Sequence, residues 1–114
     1  MISVKEAREI ALGFDETDEK PHFERMAFRV RGKIFSTLSV EKKDVNFKLT
    51  PYEQTRCCEG QDPVIIHPVA GGWGRQGWTT IHLPKTTKKF FKKIMTVAYC
   101  NIAPLELAEK YISY

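Results

Sequence analysis

The sequence predicts an α+β fold in which antiparallel strands are combined with amphipathic helices in a single domain, residues 1–114. Three observations predict it. The first residues carry a helix-start motif and an apolar stripe at helical spacing, residues 23–49 alternate apolar and polar side chains, and the last third returns to helical spacing. A chain of 114 residues is long enough to bury one core without help from metals or disulfides.

The N-terminal helix is predicted to begin at a capping box, Ser3-Val4-Lys5-Glu6. In this motif the serine hydroxyl accepts from the Glu6 amide, and the glutamate carboxylate accepts from the Ser3 amide. Four apolar residues then follow at i, i+3, i+4 and i+7: Ala7, Ile10, Ala11 and Phe14. Gly13 favours a left-handed cap at the helix end, and the acidic residues 15–19 are predicted to form a solvated loop.

Residues 23–49 predict three antiparallel strands in a meander. In the first strand Phe28 and Val30 face the core, and arginines alternate with them. Arg31-Gly32 forms the turn into a second strand, residues 33–38, and a third strand follows a polar turn at residues 40–44.

The second half starts with another capping box, because Thr50 and Glu53 flank Pro51 at the first helical position. We expect this short helix to end near Gly60. A brief strand at residues 64–66, a glycine-rich loop at 68–77 and a strand at 78–83 should follow.

A lysine-rich amphipathic helix is predicted in the last third. Its inward stripe is Phe91, Ile94, Met95 and Ala98, and its outer face carries Lys85, Lys88, Lys89, Lys92 and Lys93. Pro104 should end this helix, and residues 105–111 should add a short final one.

Charge is distributed unevenly along the chain, although the net charge is only +4. Residues 1–24 hold three basic and seven acidic side chains, whereas residues 25–114 hold fifteen basic and seven acidic ones. A positive segment of this kind attracts polyanions.

Two basic groups are therefore candidate nucleic-acid-binding residues. The first is the lysine set above, which could follow a phosphate backbone or could simply be a solvated helix face. The second is a strand group: Arg25, Arg29, Arg31, Lys33 and Lys48. Its guanidinium groups could bind phosphate or a carboxylate ligand, or could pair with Glu24, Glu41 or Glu53.

The loop from Gly71 to Trp78 is a candidate for ligand stacking. Trp73, Arg75 and Trp78 would supply two aromatic faces and one cation. The loop lacks the Walker and dinucleotide-binding patterns. The alternative is that the tryptophans close one end of the core, and of the two we expect Trp78 in the core and Trp73 at a ligand.

No catalytic residue, metal site or cofactor is predicted. His22, His67 and His82 do not stand at metal-ligand spacing, and no nucleophile elbow is present. The three cysteines are an odd number, and we expect reduced, packed thiols in a cytoplasmic protein. The first residues lack a secretory signal and no segment is apolar enough to span a membrane, so we expect no membrane partner.

These segments together resemble the MmcQ/YjbR-like family of small bacterial proteins. The residues that carry the resemblance include Pro21-His22-Phe23 with the hairpin to Leu38, Asn46-Phe47-Lys48-Leu49, and Gly77-Trp78-Thr79-Thr80-Ile81. The resemblance implies an antiparallel sheet packed against helices in a frataxin-like arrangement, and DNA binding through a double-wing architecture.

We therefore expect a cytoplasmic domain that binds DNA or another polyanion weakly and with little sequence preference. The alternatives are a small-molecule binding protein or enzyme that uses the Trp73–Trp78 loop, and a protein-interaction scaffold. A binding role is favoured over an enzymatic one, and a monomer over an oligomer.

Overall fold

Both predicted capping boxes are present in the computed structural model, which describes residues 1–112. Helix α1 (Val4–Leu12) begins after Ser3 and helix α2 (Pro51–Cys58) begins after Thr50, each with the reciprocal bonds to its glutamate. The predicted left-handed cap at Gly13 is wrong, because its φ of −78° is right-handed.

The strands form a six-stranded antiparallel sheet within the described residues. They are β1 (Thr17–His22), β2 (Arg25–Val30), β3 (Lys33–Ser39), β4 (Asp44–Lys48), β5 (Ile66–Pro68) and β6 (Trp78–His82). Their order across the sheet is β1-β2-β3-β4-β6-β5. The predicted meander is thus its centre, and the α+β fold class is confirmed.

The acidic segment predicted as a loop is partly an edge strand. β1 begins at Thr17 and pairs along its whole length with β2. Pro21 is compatible with this position because an edge strand leaves one row of backbone groups unpaired. The carboxylates of this segment lie beside basic residues of β2 and the turn after it, so charge pairing replaces the missing apolar pattern.

The remaining helices are short except one. They are α3 (Gly72–Arg75), α4 (Lys88–Ile102) and α5 (Leu105–Ala108), and a 3₁₀ turn spans Leu83–Lys85. The segment predicted as a glycine-rich loop thus contains a helical turn. Lys85 lies in the 3₁₀ turn rather than on the lysine-rich helix, because Thr87 caps α4 with a bond from the Phe90 amide.

The core lies between one face of the sheet and helices α1 and α4. Phe47 meets Phe91 with ring centroids 5.4 Å apart, and Phe35 meets Tyr99 at 5.5 Å. The predicted inward stripe of α4 is buried here. Replacing one of these rings with alanine would cost about 3–5 kcal/mol. We call the other side of the sheet the cleft face.

Within residues 1–112, no helix is both long and apolar enough to span a lipid bilayer.

Candidate functional site

The cleft face carries a row of polar and small side chains at its centre. Strand register places six residues side by side, one from each strand: Lys20, Ala27, Thr37, Asn46, Thr80 and His67. On the four central strands the adjacent residues Phe28, Leu38, Phe47 and Ile81 are buried in the core, since alternate strand residues face opposite sides. The sheet is therefore apolar on the helix side and polar on the cleft face.

An open cleft with a volume of about 730 Å³ lies on this face. Its lining comes from the β1–β2 turn, from β3 and the turn after it, from Asn46, and from the loop around α3. The lining residues are His22, Phe23, Glu24, Arg25, Ile34, Thr37, Ser39, Glu41, Lys42, Asn46, Val69, Trp73 and Trp78. We call it the aromatic cleft.

Two exposed aromatic side chains line the aromatic cleft. Phe23, in the β1–β2 turn, is 94% exposed, and Trp73, on α3, is 64% exposed. Phe23 has a φ of 58°, a left-handed conformation that is rare for a bulky residue. Two large apolar rings thus remain in water beside one cavity, where burying them would be favourable.

Close backbone packing fixes the segment that carries the tryptophans. A Cβ on Gly74 would lie 1.7 Å from the Val69 carbonyl oxygen, so only glycine fits there. Gln54 Nε2 donates to the carbonyls of Gly74 and Trp78 at 2.9 and 3.0 Å. Helix α2 thereby holds both ends of the loop in place.

An ion pair between Arg25 and Asp44 lies beside the cleft, and Arg25 is one of the lining residues. Arg25 Nη1 lies 2.8 Å from Asp44 Oδ1. Arg25 Nε also donates to Thr37 Oγ1 at 2.9 Å, and Nη2 donates to the Thr37 carbonyl at 3.1 Å. Asp44 Oδ1 is buried and makes no hydrogen bond within residues 1–112, so the guanidinium is its charge partner.

The other two candidate arginines are paired with acids of the N-terminal segment and α5. Arg29 donates two bonds to Asp18, at 2.8 and 2.7 Å, and these bonds lower the pKa of the Asp18 carboxyl. Arg31 bonds both oxygens of Glu16 and also Glu106, and it lowers the pKa of Glu16. Glu24 and the other carboxylates that the sequence analysis named as partners form no ion pair with these arginines in residues 1–112.

The candidate lysines fall into two situations. Lys48 donates to the Gln76 carbonyl at 3.1 Å and lies 5.8 Å from the centre of the Trp78 ring. Six others are exposed and have no carboxylate within 4.0 Å in the described part of the chain: Lys33, Lys85, Lys88, Lys89, Lys92 and Lys93.

The structure does not bring the two basic groups together. Arg25, Arg29 and Lys48 belong to the cleft face by strand register. Helix α4 packs its apolar stripe on the core side, so the lysines on its exposed surface lie beyond the opposite face of the sheet. A single basic platform is absent from residues 1–112.

The tryptophan loop contributes to the cleft in part. Trp73 and Trp78 both line it, with Trp73 exposed and Trp78 half-buried, whereas Arg75 is exposed outside the lining. Phe23, Thr37 and Asn46 were not among the site residues predicted from the sequence. Phe23 lies in a turn and the other two lie on strands, and no local signal marks any of them as lining a cavity.

The histidines occupy different places on the cleft face. His22 lines the aromatic cleft. His67 and His82, from neighbouring strands β5 and β6, bring their Nε2 atoms within 2.8 Å of each other. In residues 1–112 no group of three or more His, Cys, Asp or Glu side chains is arranged to hold a metal ion.

The three cysteines are free thiols outside the cleft. Burial raises the pKa of each: Cys57, Cys58 and Cys100. A raised pKa keeps the thiol protonated at neutral pH and therefore weakly nucleophilic.

Comparison with known proteins identifies the family and a structure with a similar fold. The YjbR family model matches residues 12–101. No curated protein matches the chain significantly. The crystal structure of Deinococcus radiodurans protein DR2400, which contains the DUF419 domain, superposes with a TM-score of 0.78 at 14% sequence identity, covering 97% of this chain and 88% of that one. At this identity the likeness concerns the fold.

Proposed function

Because the chain belongs to the YjbR family and has an aromatic cleft on the free side of its sheet, we propose that it is a small-molecule-binding protein. The ligand we propose is a planar aromatic compound that lies between Phe23 and Trp73. The observation that carries this proposal is the convergence of both exposed rings on one cavity.

The size and lining of the aromatic cleft support the proposal. Its volume of about 730 Å³ lies within the range of roughly 300–1,000 Å³ typical of small-molecule sites. Most of the lining surface is apolar, from Ile34, Val69 and the aromatic residues, although eight of the thirteen lining residues are polar or charged. This combination is typical of ligand sites, in which apolar surface supplies affinity and polar groups fix orientation.

Backbone strain at Phe23 supports a role for its side chain. A bulky residue at φ 58° costs of order 1 kcal/mol, and full exposure of the ring adds a hydrophobic cost. Glycine or asparagine would satisfy the same turn without either cost. A stacking contact with a ligand would offset both, because aromatic pairs gain about 0.5–1.5 kcal/mol beyond the burial of area.

The polar groups on the floor favour a ligand that accepts hydrogen bonds. Thr37 Oγ1 and Ser39 Oγ already accept from Arg25 and from the Lys42 amide, so their hydroxyl hydrogens remain to donate. Asn46 Oδ1 accepts from Thr80 at 2.7 Å, which leaves its amino group as a donor. We therefore infer a ligand with carbonyl, ring-nitrogen or similar acceptor atoms.

Anilinonaphthalene, a neutral aromatic fluorophore that brightens in apolar surroundings, tests the proposal. We expect it to bind the wild-type protein, and Trp73→Ala and Phe23→Ala each to weaken binding about tenfold. Tyr52→Ala is the matched control, because Tyr52 is 69% exposed on α2 and lies outside the cleft lining.

Two results would count against the cleft. One is the absence of a fluorescence change at any probe concentration up to its solubility. The other is equal loss of binding in Tyr52→Ala and Trp73→Ala, since that would mean that the probe reports exposed rings in general.

A second candidate function, weak DNA or polyanion binding through α4 alone, is favoured by a separate observation. Lys88, Lys89, Lys92 and Lys93 are exposed and free of carboxylate partners within the described residues. Four phosphate contacts would give a slope of about −3.6 for log affinity against log salt with duplex DNA. Replacing all four with glutamine should abolish binding, whereas Lys33→Gln should not; duplex binding that survives the fourfold replacement would refute this function.

We also propose a cytoplasmic location, supported by three cysteines that are all unpaired in the structure.

A further inference from the structure

A smaller pocket adjoins the aromatic cleft at the end of the sheet where β3 turns into β4. It has a volume of about 300 Å³ and is lined by Lys42, Val64, His82, Pro84 and Lys85. Lys42 also lines the aromatic cleft, so one side chain borders both cavities. Lys42 is thus the residue through which the two linings meet.

The smaller pocket has an unbalanced positive charge. Neither Lys42 nor Lys85 has a carboxylate within 4.0 Å in residues 1–112. Asp44 is the cross-strand neighbour of His82 on the same face, but Arg25 already pairs with it at 2.8 Å. Lysine ammonium groups bordering a cavity are suited to bind an anion.

The histidine pair fixes the hydrogen-bond pattern beside the smaller pocket. His67 Nδ1 lies 2.9 Å from the Pro68 carbonyl oxygen, and a carbonyl only accepts, so this nitrogen carries a hydrogen. In neutral His67 the Nε2 atom is then an acceptor, and His82 Nε2 must donate to it across 2.8 Å. The Nε2–H of His82 is therefore already satisfied within the protein, and the positive charge of the pocket comes from Lys42 and Lys85.

We propose that the ligand of the aromatic cleft carries an oxyanion, such as a phosphate or sulfonate, which binds to Lys42 and Lys85 beside His82. This inference rests on the proposed function, since the aromatic part of the ligand would occupy the cleft. The ligand class is thus an anionic aromatic compound, with its ring between Phe23 and Trp73 and its oxyanion in the smaller pocket.

A matched pair of probes tests the inference: neutral anilinonaphthalene and its sulfonate. We expect the sulfonate to bind the wild-type protein about tenfold more tightly than the neutral compound. Lys85→Ala, which alters only the smaller pocket, should remove most of this preference, and Lys42→Ala with Lys85→Ala should remove all of it. The double variant Lys33→Ala with Lys92→Ala loses the same charge elsewhere and should keep the preference.

The outcomes separate this inference from the proposed function. If the neutral probe binds and responds to Trp73→Ala, but the sulfonate binds no more tightly, the oxyanion site is refuted and the cleft stands. Equal loss of preference in the two double variants would also refute it, because only net charge would matter. If the neutral probe does not bind, the proposed function fails, and titration with inorganic pyrophosphate then decides the oxyanion site by whether the NMR signals of the His82 ring shift.

Discussion

The Arg25–Asp44 pair allows the energetic cost of breaking an ion pair beside the aromatic cleft to be measured. The perturbation is Arg25→Met, which keeps most of the side-chain volume and removes the guanidinium. It would leave the Asp44 carboxylate, whose side chain is only 11% exposed, without its charge partner. Breaking a buried pair in this way costs about 3–5 kcal/mol, and the residual exposure of Arg25, 20%, reduces our expectation to about 2–3 kcal/mol.

Urea unfolding followed by circular dichroism measures this loss, and a double-mutant cycle assigns it. Asp44→Asn alone should cost about 1–2 kcal/mol, and the double variant should cost less than the sum by at least about 1 kcal/mol. Arg29→Met is the control. Its partner Asp18 is 53% exposed, so we expect a loss below about 1 kcal/mol despite two short hydrogen bonds. Equal losses for Arg25→Met and Arg29→Met would refute the argument that burial sets the cost.

Three further predictions concern the scaffold. Gly77→Ala should destabilise the protein by more than about 3 kcal/mol in thermal unfolding, because the φ of Gly77 is 109° and the new Cβ would lie 1.9 Å from the Leu49 carbonyl oxygen. A smaller loss would contradict this, because it would mean that the backbone of the loop can shift to accommodate a Cβ. Burial raises the pKa of Tyr99 to about 12, above about 10 in the unfolded chain, so stability should fall as the pH rises through this window. The fall should be smaller in Tyr99→Phe, and an unchanged fall in urea midpoints between about pH 9 and about pH 11 would contradict this. Lys89→Glu should stabilise α4 by about 0.5 kcal/mol, because an acid replaces a base in its first turn, and a measured loss of stability would contradict the dipole argument.

Local sequence signals predicted the helices, because their starts and buried faces depend on residues that lie close together in the chain. The capping boxes at Ser3 and Thr50 start α1 and α2, and the apolar stripe of α4 is buried as its spacing indicates. β1 lacked such a signal. As an edge strand with Pro21, it has charged side chains in place of alternating apolar ones, and its place depends on pairing with β2.

The cleft could not be predicted because its residues come from separate segments that only the sheet order assembles. β6 pairs with β4 as well as with β5, so the loop carrying Trp73 is brought back over the centre of the sheet. The tryptophans were found as a candidate because they lie close together in sequence. Phe23 and Asn46 were not, since nothing local distinguishes a turn phenylalanine or a strand asparagine that lines a cavity.

The charge pattern indicated an excess of base but not its arrangement. Arg29 and Arg31 pair with acids of the N-terminal segment, which the sequence analysis had treated as solvated. Whether basic side chains share a surface depends on which side of the sheet each element packs. That property follows from tertiary contacts rather than from spacing along the chain.

Intermolecular nuclear Overhauser effects between bound anilinonaphthalene and the methyl groups of the protein test the central claim most directly. We predict contacts from the probe to the methyls of Ile34, Thr37 and Val69, which line the aromatic cleft. Contacts confined to exposed methyls outside both cavities, such as those of Leu105, would contradict the assignment of the cleft as the ligand site.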